Sequence, residues 1–355
     1  MKGSRRRILG GLVCVVAMLP ARAADVQIHG AGATFPYPVY ARWGADYRRA
    51  SGVDVAFDAT GSGAGIASME RGDVDFGASD IPLTAEELQH LGAMQFPAVI
   101  GGVVPVVNLA GIRSGQLRLS GTVLADIYLG KVTTWNAPAI ASLNPGLNLP
   151  SSRITVVHRA EASGTSQLWS DFLARCSAPW RMTVGVGKTP VWPTGVAAVG
   201  NEGVAASVQR TRASIGYVEY VYASQHHLAT ASLRNHDGTF VQATREAFEA
   251  AAVQARWRDE SDLPQSLIDL PGPASWPIVS ASFVLLPSRP GSPERSARTR
   301  EALRFFDWAL THGRPAATEL GYLPLPDAAA GLVRRSWAAR IQDGSGRSLW
   351  PEPAR

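Results

Sequence analysis

Three short segments rich in glycine and hydroxyl residues could bind an anion. They are Gly30-Ala-Gly-Ala-Thr-Phe-Pro36, Thr60-Gly-Ser-Gly-Ala-Gly65 and Ser163-Gly-Thr-Ser166. Each stands between a predicted strand and a predicted helix, where the first N–H groups of the helix lack an intrahelical acceptor and the helix dipole favours negative charge. For the first segment alone, a glycine-rich turn with Thr34 as the helix N-cap is the simpler explanation. Three such junctions exceed what turn formation requires, and together they predict an oxyanion site.

Charged residues beside these segments sharpen the prediction. Arg159 comes at the end of the predicted strand Ile154–Val157, and Glu161 follows it by two residues. A guanidinium can hold an oxyanion with a fork of donors, while a nearby carboxylate orients it and reduces the positive charge of the site. The alternative is an exposed ion pair that contributes little to stability.

Asp80, in Gly77-Ala-Ser-Asp80, is the unusual member of the set. An ionised carboxylate only accepts hydrogen bonds, so it suits an anion site only if the anion itself carries a proton. The alternative is a loop aspartate that bonds its local backbone.

The elements that must position these residues alternate between strand and helix. The predicted strands are Val26–Ile28, Val53–Phe57 and Val74–Phe76, and the predicted helices are Pro38–Ala50, Ala64–Arg71, one starting after Thr84, and Gln167–Arg175. Thr84-Ala-Glu-Glu87 predicts a capping box, and Gly92 predicts the end of that helix. Such alternation indicates an α/β fold with largely parallel sheets, in which ligands bind at the carboxyl ends of strands.

Two long apolar runs divide the chain. Ala98–Leu109 predicts one long strand crossing between two domains, with Gly101 and Gly102 permitting a bend. Ile278–Leu286 predicts a second crossing, so the first domain is expected to be discontinuous, with residues 24–102 and 275–355, and the second to hold residues 103–274. The predicted helices of the tail are Ser296–His312 and Asp327–Ile341.

Residues 1–23 have the pattern of an export signal. Basic residues come first, an apolar run Ile8–Leu19 follows, and Ala21-Arg-Ala23 matches a cleavage site, so we expect cleavage near Ala23. The run is too short to span a bilayer, a short buried helix is the alternative, and the twin-arginine and general secretory routes both stay open. Cys14 lacks the small residues of a lipoprotein signal before it, so no membrane anchor is expected, and Cys176 is left without a disulfide partner.

Length and charge exclude other classes of protein. A chain of 355 residues with two cysteines can bury a core without disulfide staples. The formal net charge of +5 raises the possibility of nucleic-acid binding, but the predicted signal contains five basic residues and no acidic one. The chain after residue 23 therefore has 29 basic and 29 acidic residues, and nucleic-acid binding loses its basis.

Seven segments, in order along essentially the whole chain after residue 23, carry a resemblance to a known family. They are Gly30-Ala-Gly-Ala-Thr-Phe-Pro36; Val74-Asp-Phe-Gly-Ala-Ser-Asp80; Gln95-Phe-Pro97 with Val99-Ile-Gly-Gly-Val103; Asp126-Ile-Tyr-Leu-Gly-Lys131; Arg159 with Ser163-Gly-Thr-Ser166; Ile215-Gly-Tyr-Val-Glu-Tyr220; and Phe305-Phe-Asp-Trp308. In combination they resemble the periplasmic phosphate-binding proteins of phosphate ABC transporters. The resemblance implies a two-lobed type II periplasmic binding protein fold, with two hinge crossings, that closes on one phosphate in the cleft between the lobes.

Matching positions in the first lobe assign four ligand residues. The resemblance implies that Thr34 gives its hydroxyl, Phe35 its backbone N–H, and Ser62 both its hydroxyl and its N–H. Asp80 would accept the proton that phosphate keeps near neutral pH. Sulfate has no such proton, so Asp80 would discriminate against it.

Matching positions in the second lobe assign the remaining ligands. Arg159 would grip two oxygens, Ser163, Gly164 and Thr165 would donate from the start of the third helix, and Glu161 would orient Arg159. The chain departs from the family at three nearby positions. Gly63 and Ala64 replace the usual Ser and Gly, and Ala162 replaces the usual Gly. Pro351–Arg355 extends past the usual end.

The resemblance also implies the partners. They are inorganic phosphate and the membrane permease and ATPase subunits of a phosphate importer, served by a periplasmic monomer without catalytic residues, cofactor or metal. A secreted phosphohydrolase on a related cleft, or a binding protein for another oxyanion, stay as alternatives. The sequence contains no HExxH motif, Met182 stands where a P-loop at Gly185-Val-Gly-Lys-Thr189 would need its first glycine, and neither Ser62 nor Ser163 lies in a G-x-S-x-G elbow.

Overall fold

The computed structural model describes residues 27–257, 263 and 265–350. The predicted export signal, with Cys14 and the expected cleavage near Ala23, lies outside the described residues, and so does the C-terminal extension at 351–355.

Strands and helices alternate through most of the chain. The strands are β1 Gln27–Gly32, β2 Asp54–Asp58, β3 Phe76–Ser79, β4 Ala93–Val107, β5 Arg118–Leu119, β6 Thr155–Arg159, β7 Val196–Ala198, β8 Ser214–Glu219, β9 Ala229–Thr230, β10 Ser232–Arg234, β11 Phe240–Val241, β12 Leu267–Ile268, β13 Ile278–Pro287 and β14 Leu323–Pro324. The helices are α1 Tyr37–Ser51, α2 Ser62–Arg71, α3 Ala85–Leu91, α4 Gly121–Tyr128, α5 Pro138–Ala141, α6 Gly164–Cys176, α7 Ala178–Thr183, α8 Gly200–Arg210, α9 Tyr220–Gln225, α10 Arg245–Ala252, α11 Pro293–Thr311, α12 Arg314–Leu320 and α13 Asp327–Arg340.

The main sheet follows the order β2-β1-β3-β13-β4-β8-β6-β7 and changes partners along β4. Residues 93–102 of β4 pair with β13, whereas residues 103–107 pair with β8. We call β2-β1-β3-β13 with residues 93–102 sheet I, and residues 103–107 with β8-β6-β7 sheet II. Parallel pairs join β1 to β2 and β3, and β6 to β7 and β8, so the predicted α/β class is confirmed.

The crossing strand β4 differs from its prediction in its bounds. It begins at Ala93, and all fifteen of its residues are buried. The register against β13 shifts opposite Ala98, between the pairs Ser282–Val99 and Phe283–Pro97, so the irregularity lies before the glycines. An added Cβ would lie 2.9 Å from the Phe35 ring at Gly101 and 2.4 Å from the Phe248 ring at Gly102. These two glycines therefore permit close packing at the point where β4 passes from β13 to β8, and the bend at them stays a prediction.

Other local predictions are confirmed, with shifts at the helix starts. The Thr84 capping box is formed with Glu87, and Gly92 ends α3 with φ near +60°. Helix α2 begins at Ser62 and α6 at Gly164, two and three residues before their predicted starts, while β3 starts two residues late at Phe76. These shifts place Ser62, Gly164 and Thr165 in first helical turns, where backbone N–H groups lack intrahelical acceptors. Across the described ranges, every helix is too short or too polar to cross a bilayer.

Aromatic clusters, buried except for the half-buried Phe57, support the helices that carry the site. Beside sheet I, Tyr40 of α1 packs edge-on against Phe57, Phe76 and Phe306. Beside sheet II, Trp169 of α6 stacks on Tyr217 of β8 at a centroid distance of 5.0 Å. Because rigid aromatic packing of this kind fixes helix positions, α1 and α6 hold their N-terminal segments in register with the sheets.

Candidate anion-binding site

The predicted ligand residues meet where sheet I faces sheet II. Thr34 lies beyond β1, Asp80 directly follows β3, and Arg159 ends β6. Each of these three side chains is at most 5% exposed. The other predicted members, Phe35, Ser62, Ser163, Gly164 and Thr165, are also buried.

Ser62 joins the two sides of the site directly. Its Oγ accepts from the Asp80 N–H at 3.3 Å and from the Gly164 N–H at 3.2 Å. Two donors occupy both acceptor positions of the hydroxyl, so its own hydrogen is left to donate elsewhere. The Gly164 N–H, predicted to face the anion, therefore has Ser62 as its acceptor in this arrangement. A Cβ at Gly164 would lie 2.5 Å from Ser62 Oγ, so only glycine permits this approach.

The Thr34-Phe35 segment is held by its carbonyl groups. The Thr34 carbonyl accepts from Tyr222 Oη and the Phe35 carbonyl from Tyr322 Oη, both at 2.6 Å. Helix α1 begins at Tyr37 and has no side-chain cap, so the alternative of Thr34 as an N-cap is wrong. Among the described residues, the Phe35 N–H has no acceptor.

The Arg159 guanidinium is almost fully enclosed, with its side chain 1% exposed. Nε donates to Glu161 Oε1 at 2.8 Å, Nη2 donates to the same oxygen, and Nη1 donates to Thr165 Oγ1 at 3.3 Å. A guanidinium has five N–H groups, so two remain for another acceptor. Glu161 also accepts from the Gly200 N–H at the start of α8. The alternative of an exposed ion pair is therefore wrong.

Asp80 is a buried carboxyl surrounded by hydroxyl groups. Ser282 Oγ donates to its Oδ1 at 3.4 Å and Thr165 Oγ1 donates to its Oδ2 at 3.5 Å. Because neither contact is to local backbone, the alternative of a loop aspartate bonding its own turn is wrong. Burial raises the pKa of Asp80 to about 7, while the positive charge of Arg159 and the two hydroxyl donors partly offset that rise. Near neutral pH the carboxyl therefore exists in both protonation states.

Ser163 and Thr165 complete the sheet II side. Ser163 caps α6, because its Oγ accepts from the Ser166 N–H at 3.2 Å, and its own N–H donates to the Lys188 carbonyl at 2.9 Å. Only the hydroxyl hydrogen of Ser163 is left for another partner. The Thr165 N–H has no acceptor among the described residues.

Two buried residues at the site were missed from the sequence. Asn201 donates from Nδ2 to Thr34 Oγ1 at 2.8 Å, and Ser282 of β13 contacts Asp80. Val196–Ala198 followed by Gly200-Asn201 repeats the strand, glycine and helix pattern of the other junctions, and this signal could have identified Asn201. Ser282 lies inside an apolar strand and carries no such signal.

The chemistry of the site is that of an oxyanion receptor. Thr34, Ser62 and Ser163 all accept hydrogen bonds from protein N–H groups, so each hydroxyl is left to act as a donor. One guanidinium supplies positive charge, and one carboxyl can accept a proton carried by the anion. Over the described ranges, no group of three or more His, Cys, Asp or Glu side chains could hold a metal ion.

Comparisons with known proteins agree on one family. The family model described as a PBP superfamily domain matches residues 20–312. The phosphate-binding protein PstS of Pasteurella multocida is 49% identical over 323 residues, covering 91% of this chain and 93% of that protein. PstS of Haemophilus influenzae is 45% identical over 330 residues, covering 93% and 98%.

Solved structures share the fold at lower sequence identity. A high-affinity periplasmic phosphate-binding protein, PfluDING, solved with bound phosphate, has a TM-score of 0.70 and 22% identity, covering 93% of this chain and all of that one. The phosphate-binding protein of Stenotrophomonas maltophilia has a TM-score of 0.65 and 20% identity, with the same coverage.

Proposed function

The chain belongs to the phosphate-binding protein family of the PBP superfamily, and on that premise we propose that it binds inorganic phosphate and delivers it to a phosphate ABC importer. The observation that carries the proposal is that one buried carboxyl, Asp80, lies among groups left to donate hydrogen bonds: hydroxyls, backbone N–H groups and the Arg159 guanidinium. Hydroxyl and N–H donors around Arg159 suit the oxygens of a tetrahedral oxyanion. Asp80 suits an oxyanion that still has a proton to give.

This pairing favours phosphate over sulfate. Near neutral pH phosphate keeps at least one proton, which ionised Asp80 can accept. Sulfate has none, so it would face the carboxylate without a shared hydrogen. Leaving a buried charged group without its partner costs on the order of 1 to 3 kcal/mol or more. We assign Thr34, Phe35, Ser62, Asp80, Arg159, Ser163 and Thr165 to the phosphate site. Gly164, whose N–H is predicted from the sequence to face the anion, would instead hold Ser62 in place.

The protein works as two lobes that close on the anion. The proposed division is 24–102 with 275–355 for the first lobe and 103–274 for the second. Its support comes from the described residues alone, where β4 belongs to both sheets. Hinge motion at β4 and β13 would separate Ser62 from Gly164 and Thr34 from Asn201. Phosphate bridging the two sides would stabilise the closed state by its preferential affinity for it.

Delivery requires partners outside the chain. The closed, loaded monomer would dock on permease subunits in the membrane, with an ATPase supplying energy on the other side. It would do so in the periplasm, after removal of residues 1–23.

Titration of the protein with phosphate, sulfate and arsenate tests the function. Calorimetry and intrinsic tryptophan fluorescence should report one tight phosphate per chain and at least tenfold weaker sulfate binding. Equal binding of sulfate would favour the alternative of another oxyanion site. Incubation with a chromogenic phosphate monoester tests the remaining alternative, a phosphohydrolase. Continuous release of the coloured product would show that the protein is an enzyme and would contradict the proposed binding function.

A further inference from the structure

Asn201 is the one amide side chain in the described chain that hydrogen-bonds to side chains of the proposed phosphate ligands. It is fully buried at the start of α8 on the sheet II side. Its Nδ2 lies 2.8 Å from Thr34 Oγ1 and 3.5 Å from Thr165 Oγ1, and its backbone N–H lies 3.4 Å from Thr34 Oγ1. A single residue thus places two donors on the hydroxyl of Thr34.

The orientation of the Asn201 amide follows from its other end. Its oxygen Oδ1 accepts from the Glu219 backbone N–H at 3.0 Å, in the strand β8. A backbone N–H can only donate, so the atom facing it must be the oxygen and the atom facing Thr34 must be the NH₂ group. The contact with Thr34 is therefore a donation from Asn201, and it cannot reverse without breaking the bond to Glu219.

The two donors of Asn201 restrict where the hydrogen of the Thr34 hydroxyl can point. A threonine hydroxyl has one hydrogen and two acceptor positions, and Asn201 fills both positions. The Thr34 carbonyl is already taken by Tyr222. In this arrangement the hydroxyl hydrogen is therefore the group left to point toward a ligand.

We propose that Asn201 is a positioning residue for phosphate, which makes Thr34 a dedicated donor and does so only when the two sides are closed. This hydrogen bond depends on closure, because Thr34 belongs to the sheet I side and Asn201 to the sheet II side. The two residues are 167 positions apart in the sequence. The inference rests on the proposed phosphate function and deepens it. Closure would therefore increase the affinity of Thr34 for the anion through Asn201, which does not itself touch the anion.

Other buried asparagines show what a purely structural amide does here. Asn144 bonds the backbone of Arg118 and Ile140, and Asn235 bonds the backbone of the 272–275 turn and Thr239. Neither contacts a side chain that we assign to the anion. Asn144 therefore provides a matched control for loss of a buried amide.

A double-mutant cycle between Asn201 and Thr34 tests the proposal. Phosphate affinity is measured by calorimetry, and release by stopped-flow fluorescence, for wild type, Thr34→Val, Asn201→Ala and the double variant. Hydrogen bonds to a charged group predict that Thr34→Val weakens binding about 10- to 100-fold. Asn201→Ala should weaken it about 5- to 50-fold in wild type, mainly through faster release, but less than about twofold in the Thr34→Val background. Asn144→Ala should lower the melting temperature and leave the affinity within about twofold.

Asn201→Asp keeps the test decisive if the alanine variant folds poorly. Aspartate has nearly the same shape and keeps the acceptor for Glu219, but its second oxygen would take the Thr34 hydrogen away from the anion. It should weaken phosphate binding more than Asn201→Ala. Equal losses for Asn201→Ala in both Thr34 backgrounds, or full affinity in Asn201→Asp, would overturn the proposal while phosphate binding itself stands. Absence of phosphate binding by the wild type would instead remove the proposed function.

Discussion

Gly63 and Ala162 meet across the site so closely that one Cβ more would keep the two sides apart. The Gly63 N–H donates to the Ala162 carbonyl at 3.0 Å. A Cβ added at Gly63 would lie 2.5 Å from the Ala162 Cβ, whereas ordinary contact begins at 3.4 Å. In Gly63→Ala the two sides must therefore separate locally by about 1 Å.

The steric overlap in Gly63→Ala would raise the free energy of the closed state but not that of the open state. Overpacking of a tight contact costs about 1 to 3 kcal/mol. Residue 63 lies on the sheet I side and residue 162 on the sheet II side, so an open protein does not experience the clash. The whole cost then appears in ligand binding, and Gly63→Ala should weaken phosphate affinity about 5- to 150-fold with little change in the melting temperature of the unliganded protein.

Removal of the partner Cβ should restore binding. With Ala162→Gly, the nearest remaining neighbours of the new Cβ are the carbonyl oxygen at 3.3 Å and the Cα at 3.6 Å. Calorimetry should therefore find the Gly63→Ala/Ala162→Gly double variant within about threefold of wild type. Gly203→Ala is the control, because its Cβ would have no neighbour closer than 3.7 Å. Unchanged affinity in Gly63→Ala, or an equal loss in the double variant, would refute the reasoning.

The same cleft gives three further predictions. Arg159→Ala removes the charged donors and should lower phosphate affinity more than about 100-fold by calorimetry, so near-normal binding would exclude it as a ligand. Asp80→Asn can donate as well as accept, and should reduce the ratio of phosphate to sulfate affinity at least about tenfold more than it reduces phosphate affinity itself; an unchanged ratio would contradict the proton-accepting role. The pKa of Asp80 is raised from 3.8 to about 7, so the folded protein holds this proton more tightly than the unfolded chain does. The resulting stabilisation of the unliganded fold is complete below about pH 3.8 and is lost as the pH rises through 7. Urea unfolding without phosphate should therefore show that wild type loses about 2 to 3 kcal/mol more stability than Asp80→Asn between pH 5 and pH 8, and equal losses would show that the carboxyl is not enclosed in solution.

Much of the fold could be predicted from the sequence, because it depends on interactions between residues close together in the chain. The capping box at Thr84, the stop at Gly92 and the alternation of strand and helix patterns depend on residues a few positions apart, and the structure contains each of them. Helices α2 and α6 begin earlier than their sequence patterns predict, at Ser62 and Gly164, because glycine-rich first turns have weak helix propensity. The types of residue at the site were also readable, since hydroxyl groups, N–H donors and an arginine at strand ends have few common uses besides anion binding.

Tertiary packing decided what those residues do. Burial of Arg159 with Glu161 excluded an exposed ion pair, and burial of Asp80 raised its pKa to about 7. Whether the Gly164 N–H faces a ligand or Ser62 depends on contact between residues 102 positions apart, and no local pattern encodes it. The class of fold, the family and the kind of ligand could therefore be inferred from the residues without their packing. Packing decided that the hydroxyls of Thr34 and Ser62 are left to donate, because the donors that fill their acceptor positions come from residues 18 to 167 positions away in the sequence.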